Sequence, residues 1–161
     1  MDEVPAAIKR LAEYWSSLAG GVAPDRSLVD PAAIRPLLPF ILLTEFEDQP
    51  FRVRYRLTGT RVDEMTGMNI TGRYVDEFAH GIYRGAVELI QRAYQACHDT
   101  GTPVIDSYLW PADDNLSRLV WMGLFPLRIG GEIRQCLEIE DYGALGSKTD
   151  PIDWSVALQG K

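Results

Sequence analysis

Apolar positions repeat along this chain with two different periods, and the places where the period changes mark its elements. Near the N-terminus Ile8, Leu11, Ala12, Trp15 and Leu18 fall three or four residues apart. That spacing draws one stripe along a helix. The helix is predicted over Pro5–Leu18, with Gly20 and Gly21 ending it. A proline-rich connection follows. In it, Asp30 before Pro31 is an N-cap with proline at the first helical position, which predicts a short helix from Pro31 toward Leu37, stopped by Pro39. The period then drops to two. "FILLTEFE" (Phe40–Glu47) and "FRVRYRLTG" (Phe51–Gly59) read as an antiparallel hairpin turning at "EDQP". On its second strand Val53, Tyr55 and Leu57 share one face, and Arg52, Arg54 and Arg56 the other.

Beyond Gly59 the pattern breaks into pieces. "TRVDEMTG" and "ITGRYVDEF" each hold a turn or two of helix between glycines. From Tyr83 to Asp99 the helical period returns, with Ala86, Val87, Ile90, Ala93, Tyr94 and Cys97 as its apolar face and Gly101 as its stop. Three strands close the pattern: Pro103–Pro111, Ser117–Arg128 and Glu132–Tyr142, joined by the "ADDNLS" loop and an "IGGE" turn. A short helix is predicted after Asp150-Pro151. This order predicts an α+β domain: a five-stranded antiparallel sheet with its helices gathered between strands two and three.

Composition narrows the function classes. With 161 residues, 46% hydrophobic and 24% charged, the chain has the makings of one ordinary globular domain. Its net charge of −7 argues against nucleic acid and against anionic membrane surfaces, which are bound through Lys and Arg. The longest apolar run, "PLLPFILLT", is too short to span a bilayer, and the N-terminus does not read as a signal peptide, so a cytoplasmic location with reduced thiols is expected. There is no C-x-x-C, and His80 and His98 stand alone, so no zinc site is expected.

The stretches "LLPFILLTEFE" and "RVRYRLTGTRVDEMTGMNITGRYVDEF", together with the last three strands, resemble a PAS domain, in particular bacterial single-domain PAS proteins. The resemblance covers Asp30–Tyr142. It implies a PAS fold whose short helices arch over the sheet, with a cavity beneath and Gly59, Gly67 and Gly72 as joints, where glycine permits the φ values a joint needs. The chain then divides into an N-terminal helix and linker (1–29), a PAS domain (30–145) and a C-terminal tail (146–161). It also implies that the N-terminal helix packs on the second face of the sheet and against a mate. A homodimer with Ile8, Leu11 and Trp15 at the contact is therefore expected.

The candidate ligand-binding residues are Tyr55, Met65, Tyr74, Phe78, His80, Tyr83, Asp106 and Tyr108. Tyr55 and Tyr108 face the helices if the alternation holds, and a buried hydroxyl takes its partner from a ligand or from the protein. Asp106 shares that face, unless the register slips by one and leaves it in solvent. Met65, Tyr74, Phe78 and Tyr83 sit on the arch, as ordinary core or as walls for a flat apolar molecule. Arg73 is a candidate for an anionic ligand, with a surface ion pair to Asp76 or Glu77 as the expected alternative. Some PAS domains hold haem through a histidine near the long helix, but His80 lies early and His98 late. Neither "QACHD" nor "RQCLE" resembles the reactive-cysteine stretch of flavin-binding PAS domains. The cofactor is left open.

Three functions follow. The first is a sensory or interaction module without catalytic activity of its own, binding a small ligand or a signalling partner and acting by population shift. It is motivated by the resemblance and by the lack of an output domain within 161 residues. The second is a structural adaptor whose cavity is filled by its own side chains. The third is an acid–base enzyme using Asp106 and Tyr108.

Overall fold

The computed structural model describes residues 3–111, 117–143 and 152–159. Helix α1 runs Ala6–Leu18. Pro31–Phe40 forms two 3-10 pieces kinked at Ile34 (φ −121); the first is capped by the Asp30 side chain, which accepts from the Ala32 amide, and the second contains Pro36 and Pro39 instead of stopping before the latter. Strands β1 (Ile41–Glu47) and β2 (Arg52–Thr58) form the expected hairpin. Helix α2 (Thr60–Thr66), single turns at Val75–Phe78 and Gly81–Tyr83, and the long helix α3 (Arg84–Thr100) follow. Strands β3 (Val104–Pro111), β4 (Ser117–Ile129) and β5 (Glu132–Asp141) complete the sheet, and a short 3-10 helix, Trp154–Gln159, lies in the C-terminal segment. The "ADDNLS" loop lies largely outside the described residues, as do Asp150 and Pro151.

The sheet is antiparallel with order β2-β1-β5-β4-β3, so β5 lies at its centre. Large apolar groups stand on both faces, and both are covered. The arch and α3 bury one face with Val53, Tyr55, Tyr108, Trp110, Met122 and Cys136 among its residues. Helix α1 buries the other against Ile41, Leu43, Phe125, Leu127, Leu137 and Ile139. The outer edge of β2 is shielded by the arch itself, because Tyr55 donates its amide to the Arg73 carbonyl (2.9 Å) and accepts from the Gly72 amide (2.7 Å). This is why the chain breaks into turns after Gly59: a single long helix has no free amides to pair with a strand edge.

One part of the β2 alternation is overturned. A bulge opposite Leu43 and Thr44 leaves Arg56 unpaired, so Leu57 swings to the α1 side of the sheet. There it is 54% exposed and borders an apolar groove with Leu43, Leu137 and Ile34. A one-residue insertion into a strand reverses the face of everything beyond it.

The expected dimer contact also changes. Ile8 and Leu11 are fully buried, and Trp15 is 2% exposed with its Nε1–H donated to the Pro126 carbonyl at 2.9 Å. These three residues are spent on the chain's own sheet, packed in one cluster with Phe125, Leu127, Leu137 and Ile139 on the face opposite the arch; they are not a free surface for a mate. Leu11→Ala is expected to cost about 2–5 kcal/mol of stability, the usual range for an emptied core leucine. Urea melts at two protein concentrations check the assignment: a loss that vanishes at high concentration would restore Leu11 to a subunit contact.

Candidate functional site

The most unusual group in the core is a pair of buried carboxyls. Glu138 and Glu140 are 1% and 3% exposed. They share a strand face with Cys136, the face under the arch, while Leu137 and Ile139 point to α1. An E-x-E on an ordinary strand would lie in water. Here β5 is central and covered on both sides, so the glutamates are carried inside.

Tyrosines from three elements converge on them. The Tyr94 hydroxyl, from α3, donates to Glu138 Oε2. The Tyr108 hydroxyl, from β3, donates to Glu140 Oε2 at 3.0 Å. Tyr142 lies beside Glu140, and Tyr55 is close enough to feel both carboxyls. Burial pushes Glu138 well above the usual carboxylate range, and the neighbouring Glu140 charge pushes it further, against the Tyr94 hydrogen bond. Burial raises Glu140 to about 7, while Tyr108, Tyr142 and Glu138 favour its ionised form. Burial thus favours the protonated form of both carboxyls, because two adjacent anions are costly to desolvate together. Burial followed by the nearby glutamates raises Tyr55 and Tyr108 as well. Cys97 and Cys136 are free, buried neighbours, and burial pushes the Cys136 thiol up.

Beside this polar cluster stands an aromatic one. Trp110 stacks on Trp154 with ring centroids 4.6 Å apart and planes 9° from parallel. Phe78 meets Trp154 edge-on at 5.0 Å, Tyr55 lies 6.2 Å from it, and Tyr83 flanks Trp110 at 5.0 Å. Both indole N–H groups are buried, with no acceptor among the described residues.

Five of the eight expected site residues come together here: Tyr55, Met65, Phe78, Tyr83 and Tyr108 are all at most 5% exposed within this core. Three do not. Tyr74 turns outward, where its hydroxyl donates to Glu47 at 2.7 Å and the Arg52 guanidinium lies 3.6 Å over its ring. Arg52 is held there by a two-pronged pair with Asp76. His80 is half-buried at the entry to the turn before α3 and takes no part in the core. Asp106 has the parity of Tyr108 but is exposed, and its Oδ1 accepts from the Ser107 amide. The Asp106/Tyr108 acid–base pair is thus not assembled. Arg73 pairs with Glu77 at 3.2 Å, as expected of a surface arginine. Glu138, Glu140, Tyr94, Trp110 and Trp154 were not among the expected site residues. The parity of Cys136 and Glu138 on a strand with apolar residues on its other face was the available signal.

A sequence model of PAS domains matches residues 4–132, four-fifths of the chain. The chain belongs to the PAS-domain family. Among solved structures it is similar to a light-oxygen-voltage domain studied with a flavin analogue, at 18% identity and a TM-score of 0.51, over 74% of this chain and 87% of that one. It is also similar to the dark structure of the Aureochrome1 blue-light photoreceptor domain, at 20% identity and a TM-score of 0.50, over 75% and 86%. At these identities the likeness is one of fold. No curated protein matches. The residues here do not fit a flavin: the Trp110–Trp154 stack occupies the core under the arch, and the cysteines are buried against each other with a raised thiol. No helix among the described residues is long and apolar enough to cross a membrane, and none of their His, Cys, Asp and Glu groups forms a metal cluster.

Proposed function

We propose that this protein is a sensory and interaction module of bacterial signalling, cytoplasmic and homodimeric, which binds a small ligand or a protein partner and catalyses nothing itself. Family membership supports the sensory class. The observation that carries the reading is the carboxyl pair with its tyrosines in the core. A core built only for stability gains nothing from two desolvated acids, since apolar residues of the same volume serve as well or better. Titratable groups held far from their usual range cluster where a protein does its work. The second reading, an adaptor that binds no ligand, is favoured by the Trp154 ring filling the space under the arch.

Native mass spectrometry of the purified protein, with an absorption spectrum of the same sample and a thermal-shift screen of metabolites, separates them. A bound stoichiometric mass, or a metabolite that raises Tm, is the expected result. Its size follows the ratio of ligand concentration to Kd, about 2.7 kcal/mol at a hundredfold excess over Kd. An empty dimer that no metabolite stabilises would leave the adaptor.

A further inference from the structure

The apolar groove bordered by Leu57 lies on the face of the sheet opposite the arch, between the connection after α1 and strands β1, β2 and β5. Its volume is about 310 Å³, at the small end of the range for ligand sites. Its walls are aliphatic, and no aromatic ring stands among them. Ile34, Ile41 and Leu137 are buried there, while Leu57 leaves about half its surface in solvent. The groove is formed before anything enters it. At one end of the Arg26–Val29 wall, the Arg128 amide and Nε donate to the Pro24 and Ala23 carbonyls at 2.8 and 3.2 Å. At the other end, the Asp30 amide donates to the Tyr14 hydroxyl at 2.8 Å. Little ordering is left to be done on binding.

One charged residue lines this groove among the described residues, Arg26. Arg52, Arg61, Arg128 and Arg134 are half-buried as Arg26 is, and each donates to a carboxylate or a backbone carbonyl. The Arg26 guanidinium makes no hydrogen bond or ion pair among the described residues. The carboxylates nearest to it along the chain are already engaged: Asp25 accepts from the Ser27 amide and hydroxyl, and Asp30 from the Ala32 amide. A half-desolvated, unpaired cation beside an aliphatic groove complements a molecule with an alkyl chain and an anionic end. A carboxylate suits the fork of a guanidinium, which can donate to both of its oxygens. Aliphatic walls without rings suit an alkyl chain, since they offer no stacking to a flat molecule.

We propose that this groove binds a free medium-chain fatty carboxylate, with its alkyl chain along Ile34, Ile41, Leu57 and Leu137 and its carboxylate on the Arg26 guanidinium. A volume of about 310 Å³ holds a chain of roughly eight to ten carbons. The site is separate from the carboxyl pair: Leu137 faces α1, while Cys136 and the glutamates of the same strand face the arch. The proposal therefore does not rest on the sensory reading of the core. It depends on the β1–β2 bulge, which carries Leu57 to this side of the sheet.

The test is calorimetry of the full chain with hexanoate, octanoate and decanoate below their micellar concentrations, and with decanol as the uncharged comparator. One decanoate per chain is expected, with affinity rising about fourfold for each added methylene. Decanoate is expected to bind about tenfold tighter than decanol, through the charge-assisted bond to Arg26. A nonspecific apolar surface gives the opposite order, because a carboxylate costs more to desolvate than a hydroxyl. Arg26→Gln is expected to remove the preference for decanoate and leave decanol binding unchanged. Leu57→Glu, at an exposed position, is expected to weaken decanoate by about tenfold or more. In a methyl-labelled sample decanoate is expected to shift Ile34, Ile41 and Leu57 and to leave Ile90 and Ile152, which lie under the arch, in place. Shifts at Ile90 and Ile152 alone overturn the site while supporting a ligand in the core. Several decanoates per chain, or equal affinity in wild type and Arg26→Gln, also overturn it. So does a lack of binding both at high concentration and at a dilution where sedimentation shows a monomer; binding that appears only in the monomer supports the site and shows that a second copy covers it in the dimer.

Discussion

Glu140→Gln is expected to stabilise the protein at pH 8 and to leave it almost unchanged at pH 5. The cause is the direction in which burial moves the carboxyl. In the unfolded chain Glu140 titrates near its ordinary 4.5, and in the fold near 7. Between those values the native state binds more protons than the unfolded one, so stability falls as pH rises. The contribution is fully present below about the unfolded value and is lost as pH climbs through the folded one. A shift of that size corresponds to about 3 kcal/mol between the two ends of the window. Glu138, moved in the same direction and titrating with Glu140 as a pair, extends the loss to higher pH. This is the reverse of ordinary acid denaturation, in which paired surface carboxylates lose their partners as pH drops. Such groups are present, since Ser27 lowers Asp25 and His98 lowers Asp99, but their effect lies below the window. Glutamine keeps an oxygen to accept from Tyr108 and cannot ionise. Urea melts of wild type and variant from pH 5 to 8.5 measure the difference. Parallel curves, or a wild type that gains stability with pH, would show that the carboxyl is solvated and that the site is not a buried acid pair.

Gly59→Ala is expected to cost about 3 kcal/mol or more and to be the most damaging glycine substitution in the arch. Gly59 has φ −71, so any residue can adopt its backbone. What it lacks is room. An added Cβ would sit 2.3 Å from the Leu38 carbonyl oxygen and 2.4 Å from that of Pro39. Both are backbone atoms of the 3-10 segment leading into β1, and the Gly59 amide bonds to the Ile41 carbonyl at 2.7 Å just beside them. Neither side can give way without opening the start of the sheet. Gly72 is the control. Its φ is +88 but nothing lies within 4 Å of its would-be Cβ, so Gly72→Ala meets only the left-handed penalty of about 1–2 kcal/mol. If Gly72→Ala proved the more costly of the two in thermal melts, backbone conformation and not close approach would govern these joints. The three glycines expected to act as joints thus work for different reasons: Gly67 and Gly72 through positive φ, Gly59 through contact.

Local pattern was enough for the elements. The stripe of Ile8, Leu11 and Trp15, the face of α3 from Val87 to Cys97, and the alternation of the last three strands predicted helices and strands to within a residue or two of where they lie. The need for two covers over the sheet was legible too, because large apolar residues stood at both parities. Where reading failed, a distant segment had intervened. The bulge at Arg56 reversed Leu57, and Arg52 and Glu47 drew Tyr74 outward.

The sequence by itself determined the order of elements, the antiparallel sheet and its helical arch, because periodicity is a property of neighbours along the chain. Only the tertiary structure decided what lies at the centre. Glu138 and Glu140 read as surface residues until β5 is placed between β1 and β4 and covered on both faces. Trp154 reads as part of a polar tail until that tail is seated under the arch against Trp110, 44 positions earlier in the chain. Burial is set by what packs across a strand or a ring, and no local period records the partner that does the packing.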